Sequence, residues 1–156
     1  MNTTANLRRI QNEIRQIQRC SNEYSGMFQL NMVNDNAYHW KGIIIGPEES
    51  LYEGYKFELE IKLPENYPFS PPSVKFITPI SHVNVNSKGD ICLDILKNNW
   101  APSQNIQSVM LSLRLLLRYP NTDDPFNQEL AEIFRSDIKE YERIVRMDCK
   151  RYATKI

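Results

Sequence analysis

Four prolines within nine residues, Pro64, Pro68, Pro71 and Pro72, fix where this chain can form a sheet. Each lacks the amide hydrogen that a strand ladder needs, so no central strand can run through residues 64–72. The stretch before them reads differently. Phe57, Leu59, Ile61 and Leu63 alternate with Lys56, Glu58, Glu60 and Lys62, a period of two that sends apolar side chains to one face and charges to the other. Two strands precede it. Phe28, Leu30 and Met32 alternate with Gln29 and Asn31, Asn34-Asp35-Asn36 supplies a turn, and Tyr38 to Ile45 runs into Gly46-Pro47. Val74 and Phe76 mark a short fourth strand after the prolines. Strands joined this closely make an antiparallel meander with one wet face.

Helical periods flank the meander. Leu7, Ile10, Ile14 and Ile17 predict a helix over about residues 5–20, with Arg8, Arg9, Arg15 and Arg19 against a lone Glu13 on its other face. Ile106, Val109, Met110, Leu113, Leu116 and Leu117 predict a second, stopped by Tyr119-Pro120-Asn121. It is apolar around much of its circumference and should cross the sheet as the core helix. Gln128–Arg135 and Asp137–Tyr152 complete the set, with Asn127 and Ser136 as candidate caps. The expected fold is α+β in a single domain, residues 1–156: N-terminal helix, four-stranded antiparallel meander sheet, irregular segment, central helix and two C-terminal helices. At 156 residues such a chain buries roughly 68–70% of its unfolded surface and needs no staple.

Composition removes several function classes. The 19 basic and 19 acidic residues cancel, which argues against a nucleic-acid coat. No apolar run approaches the ~20 residues of a membrane span, and the polar stretch Met1–Asn6 has no signal-peptide core. Three cysteines without a CxxC pair or clustered histidines predict neither a disulfide framework nor a metal site. Free thiols fit a reducing compartment, the cytoplasm and nucleus. Neutrality also hides segregation. Residues 1–20 carry four arginines against one glutamate, and residues 123–142 carry seven acidic residues against Arg135 and Lys139. Patches of opposite sign speed encounter and select among protein partners.

From Thr78 to Pro102 no period holds, and both His82 and Cys92 fall there. A long irregular segment inside a small domain is usually functional or disordered, and the cluster Ile91, Leu93, Ile95, Leu96 should anchor this one. On the residues alone Cys92 has two readings. A nucleophilic thiol wants a nearby positive group, whereas the sequence neighbours are Asp90 and Asp94, which would raise its pKa. A small buried hydrophobe therefore competes with a thiol paired to His82. The other histidine, His39, sits in a strand beside Trp40.

Five motifs in order bear on the choice: Tyr67-Pro68-Phe69-Ser70-Pro71-Pro72, His82-Val83-Asn84, Gly89-Asp90-Ile91-Cys92-Leu93-Asp94-Ile95-Leu96, Trp100-Ala101-Pro102 and Pro120-Asn121-Thr122-Asp123-Asp124-Pro125. Together they resemble the ubiquitin-conjugating enzyme family from about Leu7 to Ala153, as a core-domain-only, monomeric member. The resemblance implies that Cys92 accepts ubiquitin as a thioester from the ubiquitin-activating enzyme. A substrate or ubiquitin lysine then attacks, usually with a RING or HECT ubiquitin ligase. No cofactor is implied, since the activating enzyme spends the ATP. Asn84 would stabilise the oxyanion through its amide or brace the loop, Asp124 would orient and deprotonate the lysine, His82 would be a structural hydrogen-bonding residue, and Asp94 would gate the opening.

Arg8, Arg9 and Asn12 on the first helix, with Phe69, Ala101 and Pro102, would dock the activating enzyme and ligases. Gln29 stands where some members bind a second ubiquitin through a smaller residue. Val83 departs from the family's usual proline, which frees its own φ and adds an N–H needing a partner; the loop should be less pre-organised. Cys92 to Leu96 running straight into Lys97-Asn98-Asn99-Trp100 is similar to the ubiquitin branch rather than the SUMO or NEDD8 branches. A carrier of another ubiquitin-like modifier and a non-catalytic adaptor of the same fold are the alternatives.

Overall fold

The computed structural model describes residues 3–156. Helix α1, Thr3–Tyr24, is longer than its apolar period, because polar residues on its open side continue it past Ile17. Its buried stripe also departs from the expectation. Ile10 and Ile17 point inward together with Asn6 and Glu13, while Leu7 is 40% exposed. Glu13 therefore does not belong to the basic outer face. The Asn6 side chain instead donates to the Glu65 carbonyl at 3.1 Å, tying the helix to the proline-rich segment.

The sheet follows the alternation closely. Strands β1 (Phe28–Val33), β2 (Asn36–Ile45), β3 (Tyr55–Lys62) and β4 (Ser73–Phe76) pair antiparallel in chain order. Asn34 and Asp35 hold φ of 53° and 56° in the β1–β2 turn, a conformation that Asn and Asp accept more readily than other side-chain-bearing residues. On β3, Phe57, Leu59 and Ile61 are buried, as their period requires. Two short elements were not expected. Strand β5, Thr154–Lys155, pairs with Tyr55 and Lys56, and a single 3-10 turn spans Asp94–Leu96; neither is long enough to carry a period.

Helix α2, Ile106–Arg118, begins in a reciprocal cap: the Asn105 side chain accepts from the Ser108 N–H, and the Asn105 N–H donates to the Ser108 hydroxyl. It lies against the sheet at Gly42, where a Cβ would come within 3.2 Å of Ile61 Cδ1 and 3.3 Å of Met110 Cε. Only one side is covered, however: Leu111 and Leu115 remain open. Helix α3, Gln128–Ser136, is capped by Asn127, whose side chain accepts from the Leu130 N–H. Helix α4, Ile138–Tyr152, is capped by Asp137 rather than Ser136, because the Ser136 hydroxyl donates back to the Glu132 carbonyl and is not free to cap. No described helix is long and apolar enough to cross a membrane.

Candidate active site

The irregular segment is held by its own polar atoms. The Asn86 side chain accepts from the N–H groups of Lys88 and Asp90, and its amide donates to the Asp90 carboxylate. This occupies Asp90 away from the thiol. Gly89, at φ 87°, brings its carbonyl to the Phe76 N–H at 2.9 Å. A Cβ there would stand 2.2 Å from the Phe76 carbonyl oxygen, so only glycine permits this closure. Val85 pairs with both His82 and Ile91. Cys92 follows directly, its N–H donating to the Asn84 carbonyl at 2.8 Å.

The Cys92 thiol is partly exposed between two charges of opposite sign. Its Sγ donates to Asp124 Oδ2 at 3.2 Å and accepts from Lys97 Nζ at 3.3 Å. Partial burial and then the Asp124 carboxylate raise the thiol pKa, while the Lys97 ammonium pulls it down; the net shift is upward. The expected direction is right, but burial and then Asp124 cause it, not Asp90 or Asp94. Asp94 is exposed at the head of the 3-10 turn. With Lys97, Asn98, Asn99 and Asp124 it lines a groove of about 310 Å³ beside the thiol.

Behind the thiol the groups are fixed. His82 is fully buried; its Nδ1 accepts from the Asn84 N–H and its Nε2 donates to the Leu116 carbonyl, both at 2.9 Å. Those partners require the neutral Nε2–H tautomer, and burial lowers its pKa to about 4. Asn84 is equally buried. Its amide donates to the carbonyls of Asn121 and Asp124 at 2.8 and 3.0 Å, and its Oδ1 accepts from the Asn121 N–H. Both its side-chain polar atoms are spent on the loop that carries Asp124. Val83 is buried in this frame, and its carbonyl accepts from the N–H groups of both Phe126 and Asn127. Its own N–H lies toward the buried Tyr141 hydroxyl. Burial raises the Tyr141 pKa to about 12 against the opposing pull of the Tyr52 hydroxyl and the Val83 N–H. Neither contact reaches hydrogen-bond geometry.

Of the candidate docking residues, Arg9 and Pro102 are tied into one hydrogen-bonded assembly at Glu13. The Glu13 carboxylate accepts from the Tyr67 hydroxyl, the Arg9 guanidinium and the Ile106 N–H. Arg9 also donates to the carbonyls of Pro102 and Gln104. The Ala101 N–H donates to the Gln104 side chain, and Trp100 donates to the Pro68 carbonyl at 2.8 Å. Phe69, the residue after Pro68, is 69% exposed. Arg8 and Asn12 are exposed on α1, and Gln29 is exposed on β1. Two residues in this arrangement were not singled out from the sequence. Glu13 looked like part of a solvated face, and Lys97, five residues after Cys92, shares no helix with it that would have predicted the contact.

The comparisons meet this geometry over nearly the whole chain. The model of the ubiquitin-conjugating enzyme family matches residues 9–149. A probable ubiquitin-conjugating enzyme E2 of Acanthamoeba polyphaga mimivirus is 53% identical over 151 residues, 96% of each chain. The ubiquitin conjugating enzyme E2 domain of Toxoplasma gondii superposes with a TM-score of 0.86 at 32% identity, over 95% of this chain and 99% of that one. A Plasmodium yoelii structure assigned to the same enzyme class gives 0.88 at 37% identity, over 97% of both. With sequence, fold and the order of its site segments in agreement, this chain belongs to the ubiquitin-conjugating enzyme family.

Proposed function

We propose that Cys92 is the acceptor thiol of this enzyme. Its sulfur attacks the thioester of the charged activating enzyme, a new thioester to the ubiquitin C-terminus forms on Cys92, and the donor thiol leaves with the proton. A lysine amine of a substrate or of ubiquitin then attacks that carbonyl; an amide forms and the Cys92 sulfur leaves. The observation that carries this reading is the placement of one partly exposed thiol between the Asp124 carboxylate and the Lys97 ammonium, at the edge of a groove open to a second chain. Asp124 is well placed to attract an incoming ammonium and take its proton.

A thiol held above its usual pKa suits the same reading. Transthiolation needs only a small thiolate fraction, and a more basic thiolate is the stronger nucleophile. His82 is no general base here, because both ring nitrogens are used within the frame. Asn84 positions the Asp124 loop; to bind an oxyanion it would have to release Asn121 or Asp124. Phe69, Pro102, Ala101, Arg8, Arg9 and Asn12 form the surface for the activating enzyme and RING or HECT ligases.

The test is a charging reaction with activating enzyme, ATP and ubiquitin, read on a non-reducing gel. A conjugate that vanishes with reductant and with Cys92→Ala is expected. Parallel reactions with SUMO and NEDD8, each with its own activating enzyme, should stay blank. Charging by either in preference to ubiquitin would refute the modifier, and no conjugate with any of the three would refute the carrier.

A further inference from the structure

Away from the thiol, three observations converge on the cleft between the C-terminal half of α1 and β1. The first is a buried polar group without a partner. Gln107, near the start of α2, is 92% buried, being 8% exposed, and lines a cavity of about 330 Å³. Its carboxamide makes no hydrogen bond to any described residue, yet neither polar atom is fully sealed, so both open into that cavity. A carboxamide with no protein partner in the wall of a cavity of ligand size marks a place for a complementary group.

The second observation is charge. In a chain with 24% charged residues, the cavity wall has none: Ile17, Phe28 and Leu30 supply the apolar part, and Ser21, Asn31 and Gln107 the polar part. An ionised ligand would lose its hydration there without a counter-charge. A carboxamide offers one acceptor and two donors, which a second amide matches in both directions.

The third observation is backbone. Strand β1 ends the sheet and pairs only with β2. The Ile45 N–H donates to the Met27 carbonyl, so with Phe28 opposite Ile44 the residues bonded to β2 are 29 and 31. The N–H and C=O groups of Phe28, Leu30 and Met32 therefore point away from the sheet. They meet no described partner there, and Phe28 and Leu30 are also cavity-lining. Such an edge is a template for a further strand.

We propose that this cleft binds an extended, uncharged peptide segment of a protein partner, which adds to β1 as a strand and seats one carboxamide side chain on Gln107. The site is independent of the thiol chemistry and follows the free edge of β1, where Gln29 and Asn31 join Phe28 and Leu30 in the cavity wall.

The test titrates the isotope-labelled full chain with a blocked seven-residue peptide of alternating threonine and valine with a central glutamine, followed by amide chemical shifts. The amides of Phe28, Leu30 and Met32 and the Gln107 side-chain amide should move together and saturate. Gln107→Leu, or a leucine at the centre of the peptide, should weaken binding about tenfold, and a central glutamate should weaken it at least as much. Ser21 is exposed on the rim, so Ser21→Trp should block binding while the rest of the spectrum stays unchanged. Absence of saturable shifts at millimolar peptide would overturn the proposal. Equal affinity of the Gln107→Leu protein, or movement of Gln107 without the β1 amides, would overturn it too.

Discussion

At the scale of residues, the Cys92 thiol is set by two neighbours working against each other. Partial burial and Asp124 raise its pKa, and Lys97 opposes them. Alkylation of Cys92 by iodoacetamide should therefore climb through a midpoint above that of a free cysteine. Asp124→Asn should move the midpoint down and Lys97→Met should move it up; identical midpoints in all three proteins would contradict the assignment. His82 gives a second pH dependence. Its folded pKa of about 4 lies below the ordinary 6.5, so the unfolded chain takes up the proton first as pH falls. Its contribution is complete above pH 6.5 and is lost between 6.5 and 4, on the order of 3 kcal/mol in all. Denaturant unfolding at stepped pH should show that decline, and His82→Gln should flatten it. Not all of this was legible in the sequence. The motifs place Cys92, Asn84 and Asp124 in one neighbourhood, but no local pattern says that the Asn84 amide is consumed by carbonyls 37 and 40 residues away.

At the scale of elements, Glu13 explains why α1, the proline-rich segment and the start of α2 share one geometry. One carboxylate serves the Tyr67 hydroxyl, the Arg9 guanidinium and the Ile106 N–H. Removing it strands the Tyr67 hydroxyl and the Ile106 N–H in a buried place and leaves Arg9 only its two carbonyls. Glu13→Ala should cost about 3 kcal/mol and lower Tm by roughly 6–12 °C for a chain of this size. It should also weaken ligase-dependent discharge through the displaced Arg9 and Pro102 while free-lysine discharge persists. A Tm within a degree of wild type would contradict the shared geometry. The strands were readable because half-buried sheets impose a period of two, and α2, α3 and α4 because a one-sided core imposes 3.6. The inward turn of Glu13 was not readable, since a helix period assigns buried faces to apolar residues. Strand β5 and the Asp94–Leu96 turn escaped for a simpler reason: two or three residues cannot display a period.

At the scale of the whole molecule, a net charge of zero conceals a basic first helix and an acidic stretch at 123–142. The basic side chains Arg8, Arg15 and Arg19 are exposed, while Arg9 is spent on the Glu13 assembly. Steering by exposed charge is screened over about 10 Å at 0.1 M salt. The rate of charging by the activating enzyme should thus fall several-fold from low to physiological salt, and less steeply for a chain carrying Arg8→Ala and Arg15→Ala. A salt-independent rate would contradict steering by α1. The proposed activity rests on one covalent bond. Intact-mass measurement after a single round of charging should find ubiquitin added with loss of one water, mapped to Cys92 and released by hydroxylamine. An unmodified chain, or an adduct that survives hydroxylamine or persists in Cys92→Ala, would contradict it.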